Sequence, residues 1–173
     1  MRAKPIPPES LDGTVKTFTD FYVLDRLVVR ECSNLPVSDR ASLLSLTPGC
    51  FGMEEPLRSE IDWKLVKGGL LYASNLLAAA HSIFQEVDSQ EGAYWHGMLH
   101  RREGDFDNAR YWLRRAGRVE GISLMTGFSP VSFVSECEEA DRKGLCPAHL
   151  LETQRMEWLS MLVWSVRRLK TVS

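Results

Sequence analysis

His96, His100 and Glu103 are spaced by four and then three residues, so a helix through this segment puts all three side chains on one face. Two imidazoles one helical turn apart can chelate a divalent metal, and His81 or Glu103 is the candidate third ligand. The metal set is therefore His81, His96 and His100, and a divalent metal is the one cofactor that this pattern suggests. An imidazole can hold or release a proton near neutral pH, so His96 and His100, with Glu103 beside them, are also candidates for general acid/base catalysis. No HExxH motif accompanies them. The same imidazoles would also serve as internal hydrogen-bonding groups between packed helices, and the spacing does not choose among these roles.

A second constellation lies on the same stretch. Arg101 and Arg102 fall beside Tyr94 and Met98. Guanidinium forks take carboxylate or phosphate in bidentate fashion, while an aromatic ring and a flexible thioether suit the apolar part of a peptide. The expected function is thus a binding protein for an acidic peptide or a small anionic ligand. The alternative is a metal-dependent or acid/base enzyme built on the histidine and glutamate cluster. Surface salt bridges, worth about 0–1 kcal/mol each, would use the arginines without any ligand. Further along, Tyr111, Arg114 and Gln85 join the candidate ligand-binding residues, because Arg110 and Arg114 match His81 and Gln85 when the sequence is compared with itself. Such a polar column is either a hydrogen-bond network or a pocket.

That self-comparison also defines the elements that must hold these groups. A shift of 29 residues superposes Gly68 on Gly97, Leu70 on Leu99, Ala80 on Ala109, Leu77 on Phe106 and Phe84 on Leu113. Small residues recur where helices must approach, and large ones recur where the gap must be filled. Asn75 falls on Gly104, the two residue types that best tolerate the left-handed backbone closing a helix. Asp105 follows as an N-cap. The reading is two tandem helical hairpins over 59–117, with helices at 59–73, 77–88, 91–103 and 106–117.

Around them, apolar periodicity predicts an N-terminal helix over 14–32, following a flexible tail over 1–13 that is rich in proline and polar residues. Proline and glycine make 33–57 mostly loop around a short helix near 41–46. Ser129-Pro130 starts one closing helix that Gly144 stops. A second closing helix carries Leu151, Trp158, Leu162, Val166 and Leu169 on one face up to about residue 170. No β-hairpin signal appears, and the class is all-α.

The pattern of Gly97, Gly104-Asp105-Phe106, Ala109, Leu113 and Ala116 resembles the tetratricopeptide repeat, more fully over 91–117 than over 61–88. That resemblance implies helical hairpins with small residues where the two helices cross, and a concave groove lined by Tyr94, Met98, Arg101 and Arg102. His96 and His100 depart from it, standing where that family usually has a leucine and a tyrosine. The run from His100 to Arg115, with Ala80-His81 and Gln154 to Trp158, is similar to a bacterial and fungal family carrying HRREGDxxNAxYWxRR, a resemblance that brings no activity with it.

Bulk properties exclude more than they assign. The chain has 173 residues, 44% hydrophobic and 25% charged, with a formal net charge of −2, as expected of one folded domain over 14–173. That charge gives no reason to expect nucleic acid or an anionic membrane as a partner, although 96–118 holds six arginines against three acids. Cys32, Cys50, Cys137 and Cys146 form no CxxC pair, and the prolines near the N-terminus leave no apolar run for a signal peptide. The expected location is the cytoplasm. No phosphate-binding glycine loop or serine nucleophile elbow is present.

Overall fold

The computed structural model describes residues 37–51, 59–123 and 125–170. Among them every regular element is helical and no strand occurs. We number the α-helices α1 (Val37–Leu44), α2 (Glu60–Ala73), α3 (Leu77–Phe84), α4 (Gln90–Glu103), α5 (Phe106–Ala116), α6 (Pro130–Arg142) and α7 (Ala148–Lys170), with short 3-10 turns at Pro48–Phe51 and Glu120–Ile122. The expected tail over 1–13 and the helix over 14–32 lie outside the described residues. The short helix expected near 41–46 begins earlier, at Val37, and α3 ends at Phe84 rather than near 88. Its last carbonyls are met by the backbone N–H groups of Gln85, Glu86 and Val87, which tighten the chain into the turn that leads to α4.

Local chemistry sets the helix ends. Ser59, Ser89, Asp105 and Ser129 are N-caps, their side chains accepting from the backbone N–H of Asp62, Gly92, Asn108 and Ser132. Each fills one orphan donor of a first turn. Asn75 and Gly104, matched by the 29-residue shift, both take positive φ, at 60° and 78°. The turn after each first helix therefore uses the same backbone solution twice.

Positions matched by the 29-residue shift make similar contacts. A Cβ on Gly68 would run into the ring of Phe84, and one on Gly97 would meet Leu113 Cγ at 2.7 Å. Gly68 and Gly97 are matched by the shift, and so are Phe84 and Leu113. Ala80 and Ala109, another matched pair, are both fully buried. In each hairpin a glycine lets the second helix come close, and a large side chain fills the space that glycine leaves.

α2 packs on α3, α3 on α4, α4 on α5 and α5 on α6. α7 then returns along the chain to lie against α2 and the 120–122 turn. Trp158 Nε1 donates to the Gly69 carbonyl at 2.8 Å, and Arg168 Nε reaches both carboxylate oxygens of the buried Asp62 at 2.9 and 3.1 Å. These contacts pin α7 along the first hairpin, with decisive consequences for the expected groove.

Candidate metal centre

α3 contributes His81, and α4 contributes His96, His100 and Glu103. The histidines sit at the crossing of α3 and α4, with α5 close behind. His96 and His81 share a hydrogen bond between their Nε2 atoms at 2.8 Å, so one of the two nitrogens carries the proton. One ligand nitrogen from each of His81, His96 and His100 lies within 4.8 Å of the others. The rings are close as well, with centroids 4.6–5.1 Å apart. His96 and His100 are buried, whereas the side chain of His81 keeps 33% of its exposure.

Carboxylates stand behind this triad. Glu103 Oε2 is 3.4 Å from His100 Nδ1, and its Oε1 is 3.9 Å from His81 Nδ1. Asp105 Oδ2 is 3.8 Å from the same His100 nitrogen. Trp112 of α5, partly buried against the core, stacks on His96 with ring centroids 4.2 Å apart. Asp105 was legible in the sequence only as a helix cap, and Trp112 only as a packing residue.

Burial, with the neighbouring His100 and His81 adding to it, pulls the pKa of His96 from 6.5 down to about 4, while Glu103 opposes the shift. A neutral imidazole is the form that binds a metal. The folded state therefore holds His96 neutral across a range in which the unfolded chain protonates it. Between pH 6.5 and about 4 the unfolded state carries more protons, so the contribution of this group to stability is present above 6.5 and is lost as pH falls toward 4. NMR titration of the His96 ring in the metal-free protein should give a midpoint near 4; a midpoint at or above 6.5 would contradict the described burial.

The second constellation lies elsewhere than the sequence suggests. Tyr94, Met98, Arg101 and Arg102, expected to line an open groove, are at most 1% exposed. Other helices of the chain meet these side chains: α7 brings Glu157 to Tyr94 and Arg101, α6 brings Phe133 to Arg101, and α2 with the turn after it brings Tyr72 and Asn75 to Arg102. Glu157, itself 0% exposed, takes both terminal nitrogens of Arg101, Nη1 at 3.2 Å and Nη2 in a still shorter contact. Tyr94 donates its hydroxyl to Glu157 Oε1 at 2.8 Å. Burial and the nearby Glu157 raise the Tyr94 pKa well above its ordinary value, so the phenol keeps its proton. Arg101 has burial working against its charge, yet Glu157 more than compensates and its pKa is raised. The guanidinium also lies 4.5 Å from the centre of the Phe133 ring. Arg102 donates to Asn75 Oδ1 and faces the Tyr72 ring at 5.0 Å. Arg101 was expected to take the carboxylate of an external ligand; the carboxylate that it holds here is Glu157 of the same chain.

The expected polar column is not internal either. Gln85, Tyr111 and Arg114 are exposed, and Arg110 reaches Glu138 of α6 and Asp107 of its own helix. Cys137, in the stripe of α6, has its pKa pushed up to about 12 by burial, which keeps it an unreactive thiol. Glu157 was visible in the sequence only as an acid next to Trp158 on an apolar helix, and nothing local marked it as buried.

No family model, curated protein or solved structure matches this chain.

Proposed function

We propose that this protein binds a divalent transition metal through His81, His96 and His100, held between the two hairpins of a tetratricopeptide-like stack. The observation that carries this reading is the convergence of three imidazoles from two helices, each offering a nitrogen within 4.8 Å of the others. Tetrahedral zinc holds its nitrogen ligands at about 2.0–2.1 Å, which puts the nitrogens roughly 3.3 Å from one another. The His81–His96 separation of 2.8 Å is shorter than that and the set as a whole spans up to 4.8 Å, so the rings must shift to close around an ion. Imidazole ligands suit zinc, copper, nickel and cobalt rather than magnesium or calcium. Burial of His96 and His100 supplies the rigidity that a preformed site needs, and the exposed edge of His81 supplies an entry path.

An acidic peptide in the Arg101 groove has less support, since Glu157 of α7 already holds Arg101. Three nitrogen ligands leave one coordination position, the arrangement found in catalytic zinc sites, but no side chain here points to a particular substrate, and the reading is of metal binding. We place the protein in the cytoplasm, a location supported by the free thiols of Cys137 and Cys146. Among the described residues no helix is long and apolar enough to cross a membrane.

The test is titration of metal-free protein with Co²⁺ and Zn²⁺. We expect one equivalent of Co²⁺ to bind with a visible ligand-field spectrum, Zn²⁺ to displace it, and His100→Ala to weaken binding by at least about 100-fold. Bound metal should raise the melting temperature in proportion to the logarithm of its free concentration above Kd. Wild-type protein that stays colourless with Co²⁺ and shows no thermal shift with Zn²⁺ sinks the reading.

A further inference from the structure

We infer that Glu103 is a positioning residue for this centre: it faces the Nδ1 atoms of His81 and His100 from outside the triad and turns their Nε2 atoms toward the metal. The inference rests on the metal reading above and assigns Glu103 a place behind the ligands instead of among them.

The argument is geometric. The two nitrogens of an imidazole lie on diverging edges of the ring, so a histidine that gives Nε2 to an ion presents Nδ1 away from it. His81 displays both edges. Its Nε2 meets His96 Nε2 at 2.8 Å, while its Nδ1 faces Glu103 Oε1 at 3.9 Å. Glu103 therefore stands on the far side of His81 from the point where the imidazoles converge. The other carboxylate oxygen faces His100 Nδ1 at 3.4 Å. That nitrogen is buried and makes no hydrogen bond in the present arrangement, and two carboxylates, Glu103 and Asp105, lie 3.4 and 3.8 Å from it.

A carboxylate only accepts. Each Nδ1 facing Glu103 is thus best occupied by a proton, and one side chain biases two rings toward the Nδ1–H tautomer. The lone pair of each ring is then on Nε2. In the metal-free protein His96 donates from Nε2 to His81 Nε2, and when an ion enters, the His96 proton moves to its own Nδ1, so all three rings coordinate while neutral. A carboxylate behind a ligating histidine fixes ring orientation and raises its basicity. With Glu103 outside the first shell, the fourth coordination position belongs to water or an incoming anion on the side of His81, the most exposed of the three rings.

The experiment uses the full-length protein as wild type, Glu103→Ala and Glu103→Gln. Imidazole ¹⁵N–¹H correlation spectra of the metal-free proteins at pH 8 report tautomers, and Co²⁺ titrations report affinity and ligand set. The expected result is Nδ1–H at His81 and His100 in wild type, with that preference weakened in Glu103→Ala. Co²⁺ affinity should fall about 10–100-fold in Glu103→Ala, and less in Glu103→Gln, whose amide oxygen still accepts, while the ligand-field bands keep their positions and intensities. Bands that move in both variants identify Glu103 as a direct ligand and overturn the inference. Unchanged affinity and tautomers in Glu103→Ala overturn it too, with the metal centre intact. Wild-type protein that takes up no Co²⁺ overturns both.

Discussion

Glu157→Ala is expected to destabilise the protein by about 3–5 kcal/mol, because it strands a buried guanidinium. Arg101 loses both of its partners on that carboxylate, and the Tyr94 hydroxyl loses its acceptor. Water cannot replace them, since Arg101 and Glu157 are each 0% exposed. A single domain is typically stable by about 5–15 kcal/mol, so the loss removes a large share of the total. Urea unfolding followed by circular dichroism measures it. The double variant Arg101→Met with Glu157→Leu removes both charges and restores apolar contact with Phe133. It should recover most of the loss, because replacing a buried pair by packed hydrophobic groups is often neutral or stabilising. A cost below about 1 kcal/mol for Glu157→Ala would mean that Glu157 does not hold Arg101 in solution. In that event the groove beside Tyr94 and Met98 would be open to an external acidic ligand after all.

The second large effect concerns the close approach inside the first hairpin. Phe84 is 1% exposed and its ring lies where a Cβ on Gly68 would sit. Phe84→Ala should cost about 3–5 kcal/mol through lost burial and the cavity left behind. Gly68→Ala should also destabilise, since the overpacking penalty of about 1–3 kcal/mol exceeds the gain of about 1 kcal/mol in helix propensity. Combining Gly68→Ala with Phe84→Leu relieves the clash, so the pair should cost less than the sum of its single variants. Strict additivity in the double-mutant cycle would show that the two positions do not meet. The matched positions Gly97 and Leu113 obey the same logic, at a place where the Leu113 backbone nitrogen also lies 3.1 Å from the added Cβ and leaves less room to yield.

The all-α class, the hairpins and most helix ends were legible in the residues themselves. These features are set locally: N-cap oxygens at Ser59, Ser89, Asp105 and Ser129, left-handed turns at Asn75 and Gly104, and apolar spacing along each helix. The internal match at 29 residues marked the small and the large positions, and the structure shows which of them meet, Gly68 with Phe84 and Gly97 with Leu113. The histidine cluster was half legible. His96, His100 and Glu103 share a helix face by spacing alone, and His81 entered as a candidate from the preceding helix.

What the chain could not disclose along its length was where α7 would go. Glu157 is 56 residues from Arg101 and Trp158 is 89 residues from Gly69, and no local pattern encodes such pairings. Helix propensity and capping act within a few residues, whereas the choice of partner for a finished helix depends on shape and charge assembled from distant segments. Arginines beside an aromatic ring read alike whether the carboxylate arrives from another molecule or from the same chain. Only the tertiary structure shows which carboxylate of this chain meets Arg101, by bringing Glu157 of α7 to it while Tyr72 and Asn75 meet Arg102, and it leaves the imidazoles at the neighbouring crossing with His81 partly exposed.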